Sequence, residues 1–176
     1  MRAVFLDRDG VLNRAPVRAG RPLSVRGPEE VELLPGVPEA CRRLREGGFA
    51  LIVVTNQPDV ARGALRVEAV EAIHDLLRAR LPLDEVRVCY HDDADGCDCR
   101  KPKPGMLLEA ARARGIDLGR SFMVGDRWRD IEAGRRAGCR TVFIDYGYDE
   151  PRPEGADFRT DSLLQAAEWI LHDRSS

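Results

Sequence analysis

The sequence predicts an α/β fold in which helices cover both faces of a parallel sheet. Short apolar runs alternate with segments of helical period along most of the chain, which is typical of repeated strand–helix–strand units. Polar motifs follow several of the apolar runs directly. Ligands of open parallel sheets bind beyond the carboxyl ends of the strands, so we expect the chemistry of this protein at that edge.

Five strands and five helices are predicted in chain order. The strands are residues 3–6, 50–55, 86–90, 121–124 and 141–144. The helices are residues 37–46, 67–80, 105–114, 129–137 and 162–171, and the first four end at Gly47, Pro82, Gly115 and Gly138. Two segments break this rhythm and are predicted as irregular loops, an arginine- and proline-rich stretch at 14–35 and a second stretch at 91–104.

Length and composition predict one globular domain spanning residues 1–176. A chain of 176 residues buries on the order of 70% of its unfolded surface. No apolar run approaches the roughly 20 residues that cross a bilayer, so we expect no membrane association. The first predicted strand begins within three residues of Met1, which leaves no room for a cleavable signal. We therefore expect a cytoplasmic protein.

The segment VFLDRDG at residues 4–10 places Asp7 and Asp9 where the first strand ends. Side chains alternate along a strand, so these two carboxylates converge as the chain leaves the sheet. Crowded carboxylates favour a bound Mg²⁺, and the assembly can then neutralise a phosphate and offer one carboxylate oxygen as a nucleophile. An acidic turn after an edge strand is the alternative for this motif alone.

Three further motifs follow later strands. LIVVTNQ supplies Thr55 and Asn56, where a hydroxyl and backbone N–H groups can donate to a phosphate oxygen. CRKPKPGM supplies Lys101 just before a helix. MVGDRWRD supplies Asp126, with Asp130 four residues later as a candidate helix cap.

Together these motifs provide the parts that phosphoryl transfer through an aspartate requires, namely a nucleophile, an acid, a divalent cation and donors for the equatorial oxygens. We expect Asp7 to attack phosphorus, and Asp9 to protonate the leaving oxygen and then deprotonate the hydrolytic water. We expect Asp7, Asp126 and the carbonyl of Asp9 to hold Mg²⁺. The groups expected to hold the phosphoryl group are Thr55, Asn56 and Lys101.

A metal loop is predicted between the third strand and the third helix. Its four soft or borderline ligands, in the pattern C-x-H-x5-C-x-C, are Cys89, His91, Cys97 and Cys99. Such tight clustering matches a closed tetrahedral Zn²⁺ site, which stabilises a loop through its binding free energy. We expect this structural Zn²⁺ to hold the loop so that Arg100 and Lys101 project into the site. Reduced surface cysteines beside an unrelated histidine are the alternative.

The motifs DRDG, TNQ, RKPKPG and GDRWRD resemble those of the haloacid dehalogenase superfamily of aspartate-nucleophile phosphatases, over residues 4 to about 146. The resemblance implies a Rossmann-like fold and assigns the roles given above to the matching positions. Members of this superfamily differ by inserted cap domains. Neither the loop after Asp9 nor the segment after the third predicted strand is long enough to form one. The resemblance therefore implies a capless, open site for a small phosphorylated metabolite.

The zinc loop is similar to that of the subgroup containing heptose bisphosphate and histidinol phosphatases. RKPKPGM and NQPDVARG resemble the heptose enzymes, whereas the gap between His91 and Cys97 resembles the histidinol phosphatases. The first hypothesis is removal of the 7-phosphate of D-glycero-D-manno-heptose 1,7-bisphosphate, with histidinol phosphate as the alternative substrate. The resemblance makes Arg62 and Arg100 the candidates for contacting the non-reacting end of the substrate.

Two alternatives belong to other functional classes. A nucleic-acid end-processing or binding module would need a basic stripe with interleaved aromatic residues. Only 6% of the residues are aromatic and the net charge is −2, which argues against it. A non-catalytic phosphosugar-binding module should lack one of the essential acids, and none is missing. We therefore expect an enzyme. We also expect it to be monomeric. The sequence assigns no role to Trp128, His74 or the loop at 14–35.

Overall fold

The computed structural model describes residues 1–172 and contains a six-stranded sheet in which all neighbouring strands are parallel. The strands of the structure are β1 (Arg2–Leu6), β2 (Val17–Arg18), β3 (Arg21–Pro22), β4 (Phe49–Asn56), β5 (Glu85–Cys89), β6 (Phe122–Gly125), β7 (Arg140–Ile144) and β8 (Phe158–Thr160). The sheet order is β5-β4-β1-β6-β7-β8, while β2 and β3 form a separate antiparallel hairpin.

Helices cover both faces of the sheet. They are α1 (Val37–Glu46), α2 (Val67–Arg80), α3 (Gly105–Arg114), α4 (Trp128–Ala137) and α5 (Leu163–His172). Side chains of β1 alternate between two cores, since Val4 and Leu6 pack with residues of α1, α2 and α5, while Ala3 and Phe5 pack with residues of α3 and α4. The predicted α/β architecture, a Rossmann-like parallel sheet between two helical layers, is confirmed.

The differences from the predicted elements are small and local. Helices α1, α2 and α3 have the predicted bounds, α4 begins one residue earlier than predicted, and α5 is shifted by one residue at both ends. The edge strand β8 was not predicted, because its three residues, FRT, carry little apolar signal. The segment 14–35, predicted as irregular, contains the β2–β3 hairpin and a 3₁₀ turn at Pro28–Glu30.

The sheet topology brings the predicted site residues to one edge. Strand β1 lies between β4 and β6. The connections that follow β1 and β5 lead to opposite sides of β1, so a crevice forms beyond the carboxyl end of β1. The backbone N–H of Asp7 continues this pairing by donating to Val124 of β6 at 3.0 Å. Within residues 1–172, the structure has no helix of the length and apolar character that a bilayer crossing requires.

Candidate active site

Lys101 and Asp7 form a buried ion pair at the centre of the crevice. The Nζ atom of Lys101 lies 2.8 Å from Oδ1 of Asp7 and 2.7 Å from Oδ1 of Asp130, and it donates to the carbonyl of Val54 at 2.8 Å. These three contacts match the three N–H donors of an ammonium group. Burial opposes the charge of Lys101, but the carboxylates of Asp130 and Asp7 prevail and raise its pKa.

Three buried carboxylates surround this lysine. Oxygen atoms of Asp7, Asp126 and Asp130 all lie within 4.8 Å of one another. Three carboxyl groups face one ammonium group, so the cluster would carry excess negative charge if all three were ionised. Burial first, and then the charge of Asp130, raise the pKa of Asp7 to about 6, while burial and the charge of Asp7 raise that of Asp126 well above its usual value.

The donor set of this cluster fits a magnesium ion. Mg²⁺ takes oxygen ligands at about 2.1 Å in octahedral geometry, so its ligand oxygens lie about 3 to 4 Å apart. The Oδ1 atom of Asp126 is buried and has no hydrogen-bond partner among the described residues, while its Oδ2 accepts from the hydroxyl of Tyr148 at 2.9 Å. Gly10 leaves room for this carboxylate, because a Cβ atom there would lie 1.9 Å from Oδ2 of Asp126.

Asp9 occupies a different position from the other acids. Its Oδ2 accepts from Nη2 of Arg8 at 2.8 Å and from Nε2 of Gln57 at 3.3 Å. Its Oδ1 accepts from Nδ2 of Asn13 at 3.0 Å and from the backbone N–H of Val25 at 3.4 Å. The carboxylate of Asp9 is thus held by donors, and its predicted contribution to a metal through the backbone carbonyl stays a prediction. Through Val25, the segment 14–35 reaches the site.

Thr55 and Asn56 end β4 beside the nucleophile candidate. The hydroxyl of Thr55 accepts from Gln57 at 2.9 Å, so Gln57 bridges Thr55 and Asp9. The amide of Asn56 exchanges two hydrogen bonds with the backbone of Lys101, at 3.0 and 3.1 Å. In this structure, Asn56 fixes the segment that carries the lysine, and its direct contact with a phosphate stays a prediction.

The site has a small inner cleft and a wider outer cavity. The inner cleft has a volume of about 60 Å³ and is lined by Asp7, Asp9, Thr55, Lys101 and Asp126, among others. The adjoining cavity has a volume of about 350 Å³, and its arginines are Arg21, Arg62, Arg100, Arg127 and Arg129. The cavity also contains Asp59 and Asp93, so its lining has both signs of charge with arginine in excess.

The two arginines predicted to contact substrate both lie in this outer cavity. Arg62 forms two hydrogen bonds of 2.7 Å with Asp92. Arg100 contacts Asp93 at 2.8 Å and the carbonyl of His91 at 3.4 Å. Both guanidinium groups are therefore attached to the loop that follows β5.

The predicted zinc ligands come together in that loop. The donor atoms of Cys89, His91, Cys97 and Cys99 all lie within 4.8 Å of one another. The sulfur atoms are 3.1 to 3.7 Å apart, and Nδ1 of His91 lies 3.3 Å from Cys99 and 3.6 Å from Cys89. Zn–S bonds of about 2.3 Å at tetrahedral angles separate sulfurs by about 3.8 Å, so the cluster has the size of a zinc site. All three cysteines are free thiols in the structure.

Several residues of the site were missed at the sequence level. Asp130, considered only as a cap, accepts from the backbone N–H of Arg127 at 3.0 Å and also binds Lys101. Gln57 lies within the quoted TNQ motif, so its position was the available signal. Arg8 lies within the DRDG motif in the same way, whereas Tyr148 had no such signal, because its contact with Asp126 depends on the fold. Trp128 lines a separate surface cavity.

Comparisons with known proteins identify relatives of this chain. A family model described as HAD-hydrolase-like matches residues 98–166. The chain is 36% identical to the D-glycero-beta-D-manno-heptose-1,7-bisphosphate 7-phosphatase of Bordetella bronchiseptica, over 98% of this chain and 99% of that protein. It is also 36% identical to the phosphatase of the same name from Pseudomonas aeruginosa, over 96% of this chain and 97% of the relative.

A solved structure shows the same similarity in three dimensions. It is the D,D-heptose 1,7-bisphosphate phosphatase of B. bronchiseptica complexed with magnesium and phosphate. The two structures superpose with a TM-score of 0.83 at 35% sequence identity, covering 97% of this chain and 98% of that one. The chain therefore belongs to the HAD-like hydrolases, within the family of phosphatases that these heptose bisphosphate relatives represent.

Proposed function

We propose that this protein is a Mg²⁺-dependent phosphomonoesterase that removes the 7-phosphate of D-glycero-D-manno-heptose 1,7-bisphosphate through an aspartyl-phosphate on Asp7. The observation that carries the proposal is the buried set of Asp7, Asp126 and Asp130 around Lys101. Asp9 lies beside this set and is held by separate hydrogen bonds. The relatives named above act on this substrate, and one was crystallised with magnesium and phosphate.

Asp7 is the proposed nucleophile. Its Oδ1 is bound to Lys101, so the second oxygen is left to attack phosphorus. Lys101 also fixes the orientation of Asp7, because Asn56 and Val54 hold its backbone and its ammonium group in place. A bound Mg²⁺, held by Asp7, Asp126 and the carbonyl of Asp9, would supply positive charge to the phosphoryl oxygens.

Asp9 is the proposed general acid and base. In the first step the bond from phosphorus to the sugar oxygen breaks, and the proton of Asp9 goes to that oxygen. In the second step Asp9 takes a proton from water, which attacks phosphorus and releases phosphate and free Asp7. Hydrogen bonds from Arg8, Asn13 and Gln57 keep the Asp9 carboxylate in one position for both proton transfers.

The two cavities support a substrate with a second anionic group. The inner cleft holds the reacting phosphoryl group, and the sugar then extends into the outer cavity, whose arginines can bind another phosphate. Arg62 and Arg100 are the proposed contacts to that non-reacting end. Each would exchange part of its pairing with an aspartate for the substrate anion.

The cysteine cluster is proposed to bind one structural Zn²⁺. Four protein ligands would close the coordination shell, so the ion would order the loop that carries Arg100 and Lys101. Thiolate ligands need reduced cysteines, which supports a cytoplasmic location for the proposed monomer.

Phosphate release from heptose bisphosphate tests the proposal. We expect Mg²⁺-dependent release of one phosphate per substrate, leaving the 1-phosphate, and a decrease in kcat of at least about 10⁴-fold in Asp7→Asn. Asp145→Asn, which changes a carboxylate at the end of another sheet strand, serves as a control and should keep activity. If purified protein with Mg²⁺ released no phosphate from this substrate or from other small phosphate esters, the proposal would be wrong.

Histidinol phosphate is the second candidate, favoured by the five-residue gap between His91 and Cys97. The arginine-lined cavity favours a bisphosphate over this cationic amine. Side-by-side kcat/KM values for the two substrates decide between them.

A further inference from the structure

Arg8 lies between the two proposed catalytic aspartates, and its side chain is fully buried. Side chains alternate at the end of β1, so Arg8 points away from Asp7 and toward α2. There its Nη1 atom lies 3.2 Å from Nε2 of His74, which is itself fully buried in α2.

The contacts of Arg8 determine how His74 is protonated. A guanidinium group has N–H donors and no acceptor, so Nε2 of His74 must accept, and the ring proton lies on Nδ1. The Nδ1 atom is 3.5 Å from Oε1 of Glu71, one helical turn earlier. Glu71 in turn accepts a hydrogen bond from the hydroxyl of Tyr90.

The position of His74 behind Arg8 requires a neutral hydrogen-bond acceptor. The other side of the Arg8 guanidinium binds Asp9, with Nη2 at 2.8 Å and Nε at 3.2 Å from Oδ2. A carboxylate behind Arg8 would compete with Asp9 for its charge, whereas a neutral imidazole satisfies the rear N–H and leaves the charge for Asp9. Burial and the nearby charge of Arg8 lower the pKa of His74 to about 4, so the ring is neutral near pH 7.

We infer that His74 is a positioning residue for the proposed reaction, acting through Arg8 to hold the carboxylate of Asp9 where it transfers protons. The inference rests on the proposed function, since it assigns to Asp9 the acid and base role given above. It adds a residue 65 positions away along the chain from Asp9 that none of the phosphatase motifs contains.

Two amide substitutions of the same residue test the inference. In His74→Gln, the side-chain oxygen can replace Nε2 and accept from Arg8. In His74→Asn, the shorter amide replaces Nδ1 and cannot reach Arg8. Both variants bury one neutral amide, so a purely structural effect falls on both. Melting temperatures report that common effect.

Two substrates separate positioning from folding. A sugar phosphate needs a proton on its leaving oxygen, whereas p-nitrophenyl phosphate releases a stable phenolate without one. We expect His74→Asn to lower kcat/KM for heptose bisphosphate roughly 10- to 100-fold, and for p-nitrophenyl phosphate less than about threefold. His74→Gln should stay within about threefold of the wild type on both substrates.

Other outcomes would overturn the inference. Equal losses on the two substrates, equal behaviour of the Gln and Asn variants, or no loss in either would show that His74 does not act through Asp9. If the wild type hydrolysed neither substrate with Mg²⁺, the proposed function itself would fail, and the inference would fall with it.

Discussion

Lys101 and Asp7 are 94 residues apart in the chain, yet Nζ of Lys101 lies 2.8 Å from Oδ1 of Asp7 in a buried site. The contact depends on two separate strands, because β1 delivers Asp7 and the end of β4 holds Lys101 through Asn56 and Val54. The same ammonium group binds Asp130 at 2.7 Å. Removing the charge of Lys101 should therefore affect both the proposed nucleophile and the carboxylate cluster.

Lys101→Met tests this relationship. The variant keeps a long side chain in the buried space but leaves Asp7 and Asp130 without their cation. We expect kcat to fall by roughly 10² to 10³-fold, because a preorganised charge beside the reacting group is lost. Steady-state phosphate release measures this. Lys103→Met, which removes a half-exposed lysine two residues away, is the matched control and should retain most of the activity.

The expected result for Lys101→Met includes a change in stability. An unpaired buried carboxylate costs about 3 to 5 kcal/mol unless it takes up a proton. The variant should therefore unfold at lower denaturant concentration at pH 8 than at pH 5, relative to the wild type. Wild-type activity in Lys101→Met would contradict the central role of this ion pair.

The magnesium site should depend on pH through Asp7. Its folded pKa of about 6 lies above the usual value of 3.8, so protonation favours the folded metal-free protein. The contribution of Asp7 to stability is present below about pH 4 and is lost as pH rises through about 6. At pH 7.5 Asp7 is ionised, so repulsion within the cluster is stronger than at pH 5 and a cation is bound more readily.

Thermal shift measurements check this pH dependence. We expect Mg²⁺ to raise the melting temperature clearly at pH 7.5 and much less at pH 5, where Asp7 is mostly protonated. Asp126→Asn should remove most of the shift at pH 7.5, because it deletes the buried carboxylate with an unpartnered oxygen. An equal shift at both pH values would show that the ion binds elsewhere.

The sequence was sufficient for five strands of the parallel sheet, the five helices and most of the acids, but not for the short strands β2, β3 and β8 or for the contacts between the acids. Helical period and stop residues predicted the bounds of α1, α2 and α3, and strand ends located Asp7 and Asp126. The partners of these acids could not be predicted, because they come from other parts of the chain. Tyr148 reaches Asp126 from the segment after β7 at 2.9 Å, and no local pattern marks it.

The same distinction holds for the metal loop. The spacing of the cysteines and His91 predicted a cluster, since four ligands within eleven residues must lie close in space. The spacing did not predict how the loop closes against α3. Gly105 allows that closure, since a Cβ atom there would lie 2.2 Å from the carbonyl oxygen of Asp98.

Zinc binding at the cysteine cluster gives the third prediction. We expect about one Zn²⁺ per purified chain by metal analysis, and a substantial loss of zinc in Cys97→Ser. Loss of the ion should lower the melting temperature by roughly 5 to 10 °C, because its binding free energy orders the loop. Cys139→Ser is the control, since Cys139 is buried in the core and lies outside the cluster. Full zinc content in Cys97→Ser would contradict the proposed ligand set.

Arg100 links the metal loop to substrate selection and provides the last prediction. Its guanidinium group lies in the outer cavity, held by Asp93 at 2.8 Å, while the inner cleft is the proposed place of the reacting phosphoryl group. Arg100→Ala should therefore raise KM for heptose bisphosphate roughly tenfold, which is the effect of losing one charge-assisted contact. The kinetics of p-nitrophenyl phosphate should change little, because this substrate has no second phosphate to bind. Arg112→Ala, on the exposed side of α3, is the control for loss of a surface arginine. A similar increase in KM for both substrates would indicate that Arg100 binds the reacting phosphate. A loss of kcat alone would indicate that Arg100 acts by positioning Lys101, the next residue in the chain.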